Sequence, residues 1–307
     1  MKKCVIIMNP ESGKKRKIKT YEEFYDILRK YGYDTRIIFT RAAKDAENII
    51  QSLPDDVDLV VSGGGDGTLN EIVSGNMKRK KKLVIAPLPM GSTNDVGGMY
   101  GLTGNVYKDL EIILQGKVEK IDVCYINDRI FVYVACLGDY IDMAYATPRN
   151  LKEKYGKLAY VLYGLKQFRP KINTYEIKYK VNGEEHQGKY SFIFISNSSR
   201  IAGQPDVYYD VKLNDNMFEV ALANVNSFKE LSQLLIQIGN VDAKTIPGVT
   251  YYRTNNFELE FLSPVSTSWC LDGEEYKIDN YKYNFHVEQS MKMLVPQENI
   301  DKLFDNF

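Results

Sequence analysis

The sequence predicts an α/β N-terminal domain with a parallel sheet and helices on both faces, followed by a β-rich, largely antiparallel second domain. Three observations predict it. In the first 120 residues short apolar runs alternate with segments of helical spacing, the pattern of right-handed parallel crossovers. From Lys120 onward the pattern becomes strand-rich. The length, 307 residues, is that of about two domains. The change of period sets the boundary, giving domains over 1–120 and 121–289.

In order along the chain, Cys4 to Met8 is a short buried-strand run. Tyr21 to Tyr31 is a helix, with Phe24, Ile27, Leu28 and Tyr31 at helical spacing. Thr35 to Thr40 reads as a strand, Ala42 to Leu53 as a helix and Val57 to Val61 as a strand. Leu69 to Met77 is helical and Leu83 to Pro87 is a further strand. In such a sheet, ligands collect beyond the carboxyl ends of the strands. The second domain has strands at 121–127, 129–136, 174–181, 190–197 and 218–224, then at 257–261, 266–271 and 281–287. Thr147 to Phe168 interrupts them as a helical stretch, and within it the spacing over Ala159 to Phe168 suits packing onto the β-domain better than a membrane face.

Composition removes several function classes. Forty Lys and Arg balance forty Asp and Glu, so the chain lacks the positive excess of a general nucleic-acid binder. A hydrophobic share of 44% excludes disorder along the whole chain. No apolar run approaches the ~20 residues that span a bilayer. Met1-Lys2-Lys3 is like a signal-peptide start, but the apolar stretch that follows is too short and ends at Asn9-Pro10. The expected location is cytoplasmic, or peripheral on the inner face of a membrane. Cys4, Cys124, Cys136 and Cys270 form no CxxC pair, so reduced, mostly buried thiols are expected. His186 and His286 sit in strand-like surroundings and read as structural. Of two basic runs, Lys78 to Lys82 reads as solvated charge, whereas Lys14 to Lys17 follows a Ser-Gly turn where a phosphate could sit.

The strongest motif runs from Asp58 to Glu71, DLVVSGGGDGTLNE, a strand entering a glycine-rich turn and then a helix. Glycine admits positive φ and lets backbone amides approach an anion, and the helix N-terminus adds partial positive charge. The spacing is neither GxGxxG nor GxxxxGK[ST]. Thr68 and Glu71 also fit a capping box, which would make Glu71 structural. Asp66 is harder to explain that way: a carboxylate beside a phosphate turn repels the phosphate unless a cation such as Mg²⁺ bridges them. The second motif, PLPMGSTND over 87–95, follows a strand and should lie beside the first loop; Ser92 and Asp95 could equally cap a helix. Asn9-Pro10-Glu11-Ser12-Gly13-Lys14 is a third strand-end loop on that edge. Asp272-Gly273-Glu274, far along the chain, is by itself an ordinary hairpin turn.

Taken in order, NPxSG, GGDGTxNE, PxG-[TS]-xND and a late DGE resemble the bacterial diacylglycerol kinase and lipid kinase family, which shares its catalytic domain with sphingosine kinases. The likeness extends through Thr147 to Tyr160 and covers nearly the whole chain. It implies two domains with ATP in the cleft between them, and a final segment, about 290–307, that returns to the first domain, with Met291 to Val295 able to add a strand. It implies ATP contacts from Asn9, Thr40, Gly64, Gly65, Asp66, Gly67, Thr68, Asn70, Glu71 and Ser92, an acidic cluster of Asp66, Asp95 and Asp122 around a catalytic Mg²⁺, and Glu274 as general base. It also implies a structural Mg²⁺ at Asp215 and the carbonyls of Lys212 and Met217. The chain departs from the family pattern at Gly98, where Arg is common, at Ser92 for Thr, at Asn216 for a turn glycine, and at Ala202-Gly203-Gln204.

The implied reaction is transfer of the ATP γ-phosphoryl group to a lipid hydroxyl, with diacylglycerol the first choice and phosphatidic acid the product, a step of phospholipid biosynthesis. Phosphatidylglycerol or a long-chain base are further acceptors in view. Lys14 is a phosphate ligand or a solvated lysine with equal weight. The expected partners are a lipid at a membrane surface, met peripherally, and no nucleic acid, with a homodimer left open. Two alternatives stand beside this reading: a soluble-substrate kinase of the NAD kinase type, and a nucleotide-binding regulator that has lost catalysis.

Overall fold

The computed structural model describes residues 1–12, 20–139, 172–238 and 240–305. The expected helix over Thr147 to Phe168 and the basic run at Lys14 lie outside these residues. Contacts divide the chain into two units: Met1–Val123 with Lys212–Asp215 and Gln289–Phe307, and Cys124–Val211 with Asn216–Glu288.

In the first unit the strands are β1 (Lys2–Met8), β2 (Tyr33–Phe39), β3 (Leu59–Gly64) and β4 (Val84–Pro89). They pair in parallel in the order β2-β1-β3-β4. β1, β3 and β4 read as continuous apolar runs because nearly every residue is buried, as parallel strands covered on both faces require. The helices are α1 (Glu22–Lys30), α2 (Asp45–Ser52), α3 (Asp66–Met77), α4 (Asp95–Met99) and α5 (Val106–Leu114). The strand order turns back after β2, so right-handed crossovers put α1 on one face and α2 and α3 on the other. α2 and α3 touch so closely that a Cβ on Gly75 would lie 2.5 Å from the Glu47 carbonyl oxygen.

Arg79 corrects the reading of its basic run as solvated. It is 8% exposed, and its guanidinium donates to the carbonyls of Ile50 (2.8 Å), Gln51 (3.2 Å) and Leu53 (2.7 Å) at the end of α2. A helix leaves its last carbonyls short of internal partners, and here the Ile50 carbonyl also accepts from the Leu53 amide at 3.3 Å. The outer lysine Lys78 pairs instead with Glu47.

The second unit takes up its strands from the last residues of β5 (Lys117–Ile126), which pair with β6 (Arg129–Phe131). β7 (Val134–Gly138), β10 (Phe192–Ser196), β11 (Phe218–Ala223), β12 (Val249–Thr254), β14 (Trp269–Leu271) and β15 (Glu274–Tyr276) form an antiparallel sheet in the order β12-β11-β10-β7-β14-β15. β8 (Tyr175–Val181), β9 (Glu184–Tyr190) and β13 (Asn256–Phe261) join the first residues of β16 (Lys282–Val295) in a second antiparallel ladder. The two ladders share one apolar core that includes Ile195, Val220, Phe257, Trp269 and Phe285. α6 (Phe228–Gln237) and a 3₁₀ turn over Ala243–Thr245 precede β12. The far end of β16 pairs in parallel with β4 within the first unit, so Met291 to Val295 does add a strand there, before the closing α7 (Ile300–Leu303).

The structure splits the strand expected over 129–136. The amides of Val132, Tyr133 and Val134 turn to the carboxylate of Asp272, which ends β6 and starts β7. All four cysteines are buried and unbridged, and no helix among the described residues is long and apolar enough to cross a membrane.

Candidate functional site

The order β2-β1-β3 makes the gap beyond the carboxyl ends of β1 and β3 the point where the chain's direction of winding reverses, the place where open α/β sheets bind ligands. Asn9 follows β1 and spans this gap: its amide donates to the Gly63 carbonyl at 2.9 Å, and its side-chain NH₂ donates to the Thr68 hydroxyl at 3.3 Å. The Asn9 side-chain oxygen accepts from the Glu11 amide at 2.9 Å, which turns the loop. Thr40, at the end of β2, is buried and tied back to the Met8 carbonyl at 2.9 Å. Thus Asn9, Thr40 and Thr68 are brought to one strand-end edge.

The glycine loop after β3 lies beside the loop after β4, as their motifs predict. The Met90 amide donates to the Gly64 carbonyl at 2.7 Å. Positive φ plays no part in the first loop, because Gly65 has φ −90° and the neighbouring glycines are not left-handed. Contact explains these glycines instead. A Cβ on Gly64 would stand 2.4 Å from the Thr68 side chain, and one on Gly91 would stand 2.5 Å from the Cα of Gly65.

Neither expected cap forms. Gly65 stands at the N-cap of α3 with no side-chain cap bond, and Asn94, in the left-handed region at φ 53°, stands at the N-cap of α4, again without one. Asp66 takes over at α4: its carboxylate accepts from the amides of Asp95 (3.0 Å) and Val96 (3.3 Å). Burial pushes the Asp66 carboxyl up from its ordinary range while those amides pull it down. Asn94 pins its own loop by exchanging two bonds with Gly91, at 2.7 and 2.8 Å. Glu71, whose capping-box partner would be Thr68, accepts instead from the amides of Lys44 (2.8 Å) and Ala46 (3.2 Å) at the start of α2. Asn70 accepts from Ser74 at 3.4 Å, and Ser92 is exposed.

Asp95 and Asp122 are fully buried, at 0% and 2% exposure, in α4 and β5. Asp66 and Asp95 are brought together through the Asp95 amide. The Asp122 amide donates to the Leu213 carbonyl at 2.8 Å. Among the described residues no group of three His, Cys, Asp or Glu stands ready to hold a metal ion. The donor chemistry still fits Mg²⁺, which takes oxygen ligands and is commonly held by one or two carboxylates with substrate phosphates and water.

Lys212 and Asp215 belong to the first unit, whereas Met217 stands just before β11 in the second. The Lys212 ammonium donates to the carbonyls of Asp301 and Phe304, and Asn214 exchanges bonds of 3.0 and 2.8 Å with Asp305, which stitches this segment to the chain's last residues. Asn216 adopts φ 58°, a left-handed conformation that asparagine tolerates.

Glu274 lies in the second unit, exposed at the start of β15. The two-residue turn before it has φ 50° at Asp272 and φ 92° at Gly273, and Leu271 pairs directly with Glu274 across it. Asp-Gly is the common sequence for such a turn. Sequence reasoning did not single out the Asp272 carboxylate or the Asn94 pin. Their only local signal is an Asx residue at a turn, a position where left-handed φ is tolerated.

Residues 3–126 match the diacylglycerol kinase catalytic domain family. A diacylglycerol kinase of Staphylococcus aureus strain bovine RF122 / ET3-1 is 27% identical over 274 residues, which are 89% of this chain and 86% of that one. The diacylglycerol kinase of strain MRSA252 is 26% identical over the same share of each chain. The crystal structure of a diacylglycerol kinase from Bacillus anthracis strain Sterne has a TM-score of 0.79 at 20% identity, covering 97% of this chain and 99% of its own. The motif resemblance therefore extends to similarity along most of the chain, and the two-part fold is shared.

Proposed function

We propose, from this similarity to diacylglycerol kinases, that the protein is an ATP-dependent lipid kinase that phosphorylates a lipid hydroxyl, with diacylglycerol as the acceptor and phosphatidic acid as the product. The observation that carries the reading is the edge where Asn9, Thr40, the Gly64–Thr68 loop and the Gly91 loop meet at the sheet's reversal point. Tight backbone contact there leaves no room for side chains at Gly64 and Gly91 and sets the start of α3 at this edge, and a helix N-terminus suits a polyphosphate.

Phosphoryl transfer passes through a loose transition state, so the protein's work is positioning and charge neutralisation. In the proposed reaction the acceptor oxygen forms a bond to the γ-phosphorus as the bond from that phosphorus to the β,γ-bridging oxygen breaks, and ADP leaves. Glu274 takes the hydroxyl proton. The first-unit loops orient the triphosphate. Asp66, Asp95 and Asp122 are the carboxylates that would hold Mg²⁺, which supplies charge neutralisation at the phosphates when bound. The lipid acceptor is met at a membrane surface, peripherally.

The test is ATP-dependent phosphorylation of a panel of lipids in mixed micelles, with NAD as a soluble control. Labelled phosphatidic acid from diacylglycerol is the expected product. Phosphorylation of NAD alone would move the assignment to a soluble-substrate kinase. Binding of Mg-ATP with no product from any acceptor would indicate a nucleotide-binding regulator.

A further inference from the structure

Glu274 sits in a precarious place for a residue asked to meet a reacting hydroxyl. β15 has three residues, lies at the sheet's edge and, among the described residues, pairs only with β14, itself three residues long. A hairpin this short holds its own geometry poorly. Two contacts steady its outer end: Arg129 lies over the Tyr276 ring at 5.0 Å, and the Ser268 hydroxyl donates to Glu275 at 2.9 Å. Neither acts on the turn that carries Glu274.

Asp272 does. Its carboxylate, 5% exposed as a residue, accepts from three consecutive amides: Val132 at 2.6 Å, Tyr133 at 3.0 Å and Val134 at 3.0 Å. Its own amide donates to the Val134 carbonyl at 2.9 Å. Successive amides facing one point form an anion-binding concavity, and here the anion comes from the turn itself. The Tyr133 carbonyl also accepts from the amide of Asn197, the residue after β10, at 3.1 Å, so the clamp is fastened there as well as to β7. The interruption between β6 and β7 is the cost of this clamp, since those amides are withdrawn from strand pairing.

We infer that Asp272 is a positioning residue for the phosphoryl-transfer reaction: by seating its carboxylate on the Val132–Val134 amides it fixes the turn, and hence the place of the Glu274 carboxylate two residues on. The inference rests on the proposed general-base role of Glu274. A misplacement of about 1 Å can cost on the order of a hundredfold in rate, so a loosened turn should be felt in kcat. The nucleotide loops belong to other strands, and KM for ATP should not change.

The experiment is a double-mutant cycle with Asp272→Asn, Glu274→Gln and the pair, measuring kcat with diacylglycerol micelles, KM for ATP and Tm. Asparagine is nearly isosteric, but its NH₂ cannot accept from an amide. The expected result is a loss of about tenfold or more in kcat for Asp272→Asn with KM for ATP unchanged. The double variant should be no slower than Glu274→Gln, because once the base is gone its position no longer matters. An unchanged kcat for Asp272→Asn, with Glu274→Gln strongly impaired, would overturn the positioning role alone. Multiplicative losses in the double variant would also overturn it, showing Asp272 to be only structural. An unimpaired Glu274→Gln would remove the base and the positioning role together. Should Asp272→Asn not fold, Asp272→Glu keeps the anion, lengthens the tether by one methylene and is read by the same comparisons.

Discussion

Gly91 approaches Gly65 so closely that a Cβ placed on it would stand 2.5 Å from the Gly65 Cα and 2.9 Å from the Asn94 side-chain oxygen. Two strand-end loops thus meet backbone to backbone. The relationship is a consequence of the β3–β4 register, which pairs Gly64 with Pro89 and brings the loops out side by side.

Gly91→Ala is therefore expected to force the loops apart. Overpacking of this kind costs about 1–3 kcal/mol, and the displaced amides should no longer fit a triphosphate. Calorimetry with Mg-ATP should show affinity lowered at least tenfold beside a fall in Tm. Wild-type affinity would mean that the loop contact is not part of the nucleotide site.

Asp66→Asn separates two duties of one carboxylate. Its oxygens accept from the amides of Asp95 and Val96, and in the proposed reaction it also holds Mg²⁺. Because the carboxylate caps α4, the substitution should lower stability, by about 1–3 kcal/mol for the bond that the new NH₂ cannot accept. Turnover should fall below detection while the protein remains folded at 25 °C by circular dichroism. Activity within a few-fold of wild type would remove the metal assignment.

The parts of the fold legible in the sequence are those where burial is local to a strand. β1, β3 and β4 are apolar because both faces are covered, and their loops carry the motifs, so strand, turn and helix could be placed together. β9, with the sequence EEHQGKY, has no apolar alternation; it is a strand because β8 offers it seven paired positions. Caps show the same limit. Thr68 with Glu71 and Ser92 with Asp95 have the local spacing, yet Glu71 and Asp66 serve neighbouring helices, because tertiary amides compete with the residue's own helix. A cap that does form opens α6, a helix not read from the sequence: the Ser227 hydroxyl accepts from the Glu230 amide, and the Glu230 carboxylate accepts from the Asn226 amide and the Ser227 hydroxyl. For the site, the first-unit loops were legible as motifs, whereas the Asp272 clamp joins residues 138–140 positions apart and leaves no periodic trace.

Arg79 offers a prediction about stability alone. Its guanidinium fork satisfies three carbonyls at the end of α2 and reaches Asp55 at 2.6 Å. Arg79→Ala removes the guanidinium donor from those carbonyls and should cost about 3 kcal/mol. Arg79→Lys should recover little of it, because a single ammonium cannot reproduce the fork. Chemical unfolding of both variants tests this, with KM for ATP expected to stay at the wild-type value. Full recovery by lysine would show that charge rather than the fork matters.

The last prediction concerns Glu219, on β11, 3% exposed and flanked across the sheet by Ser196 on β10 and Arg253 on β12. Burial pushes its carboxyl up to about 8; nearby Asp210 and Asp242 act in the same direction, and Lys244 opposes them. An ordinary glutamate titrates near 4.3 when unfolded. Between these values the folded chain holds a proton that the unfolded chain has released. Folding is then favoured by low pH, and this contribution to stability declines as pH rises from about 4.3 to about 8. Glu219→Gln fixes the neutral form with nearly the same shape, so the decline should vanish. Thermal melts at intervals from pH 5.5 to 9 should show the wild type losing Tm steadily relative to the variant, with the variant the more stable above pH 8. Other groups titrate over this range, but they are common to both proteins, so the difference between the curves isolates Glu219. Parallel curves would show that the Glu219 carboxyl has an ordinary acidity and that its surroundings solvate the anion.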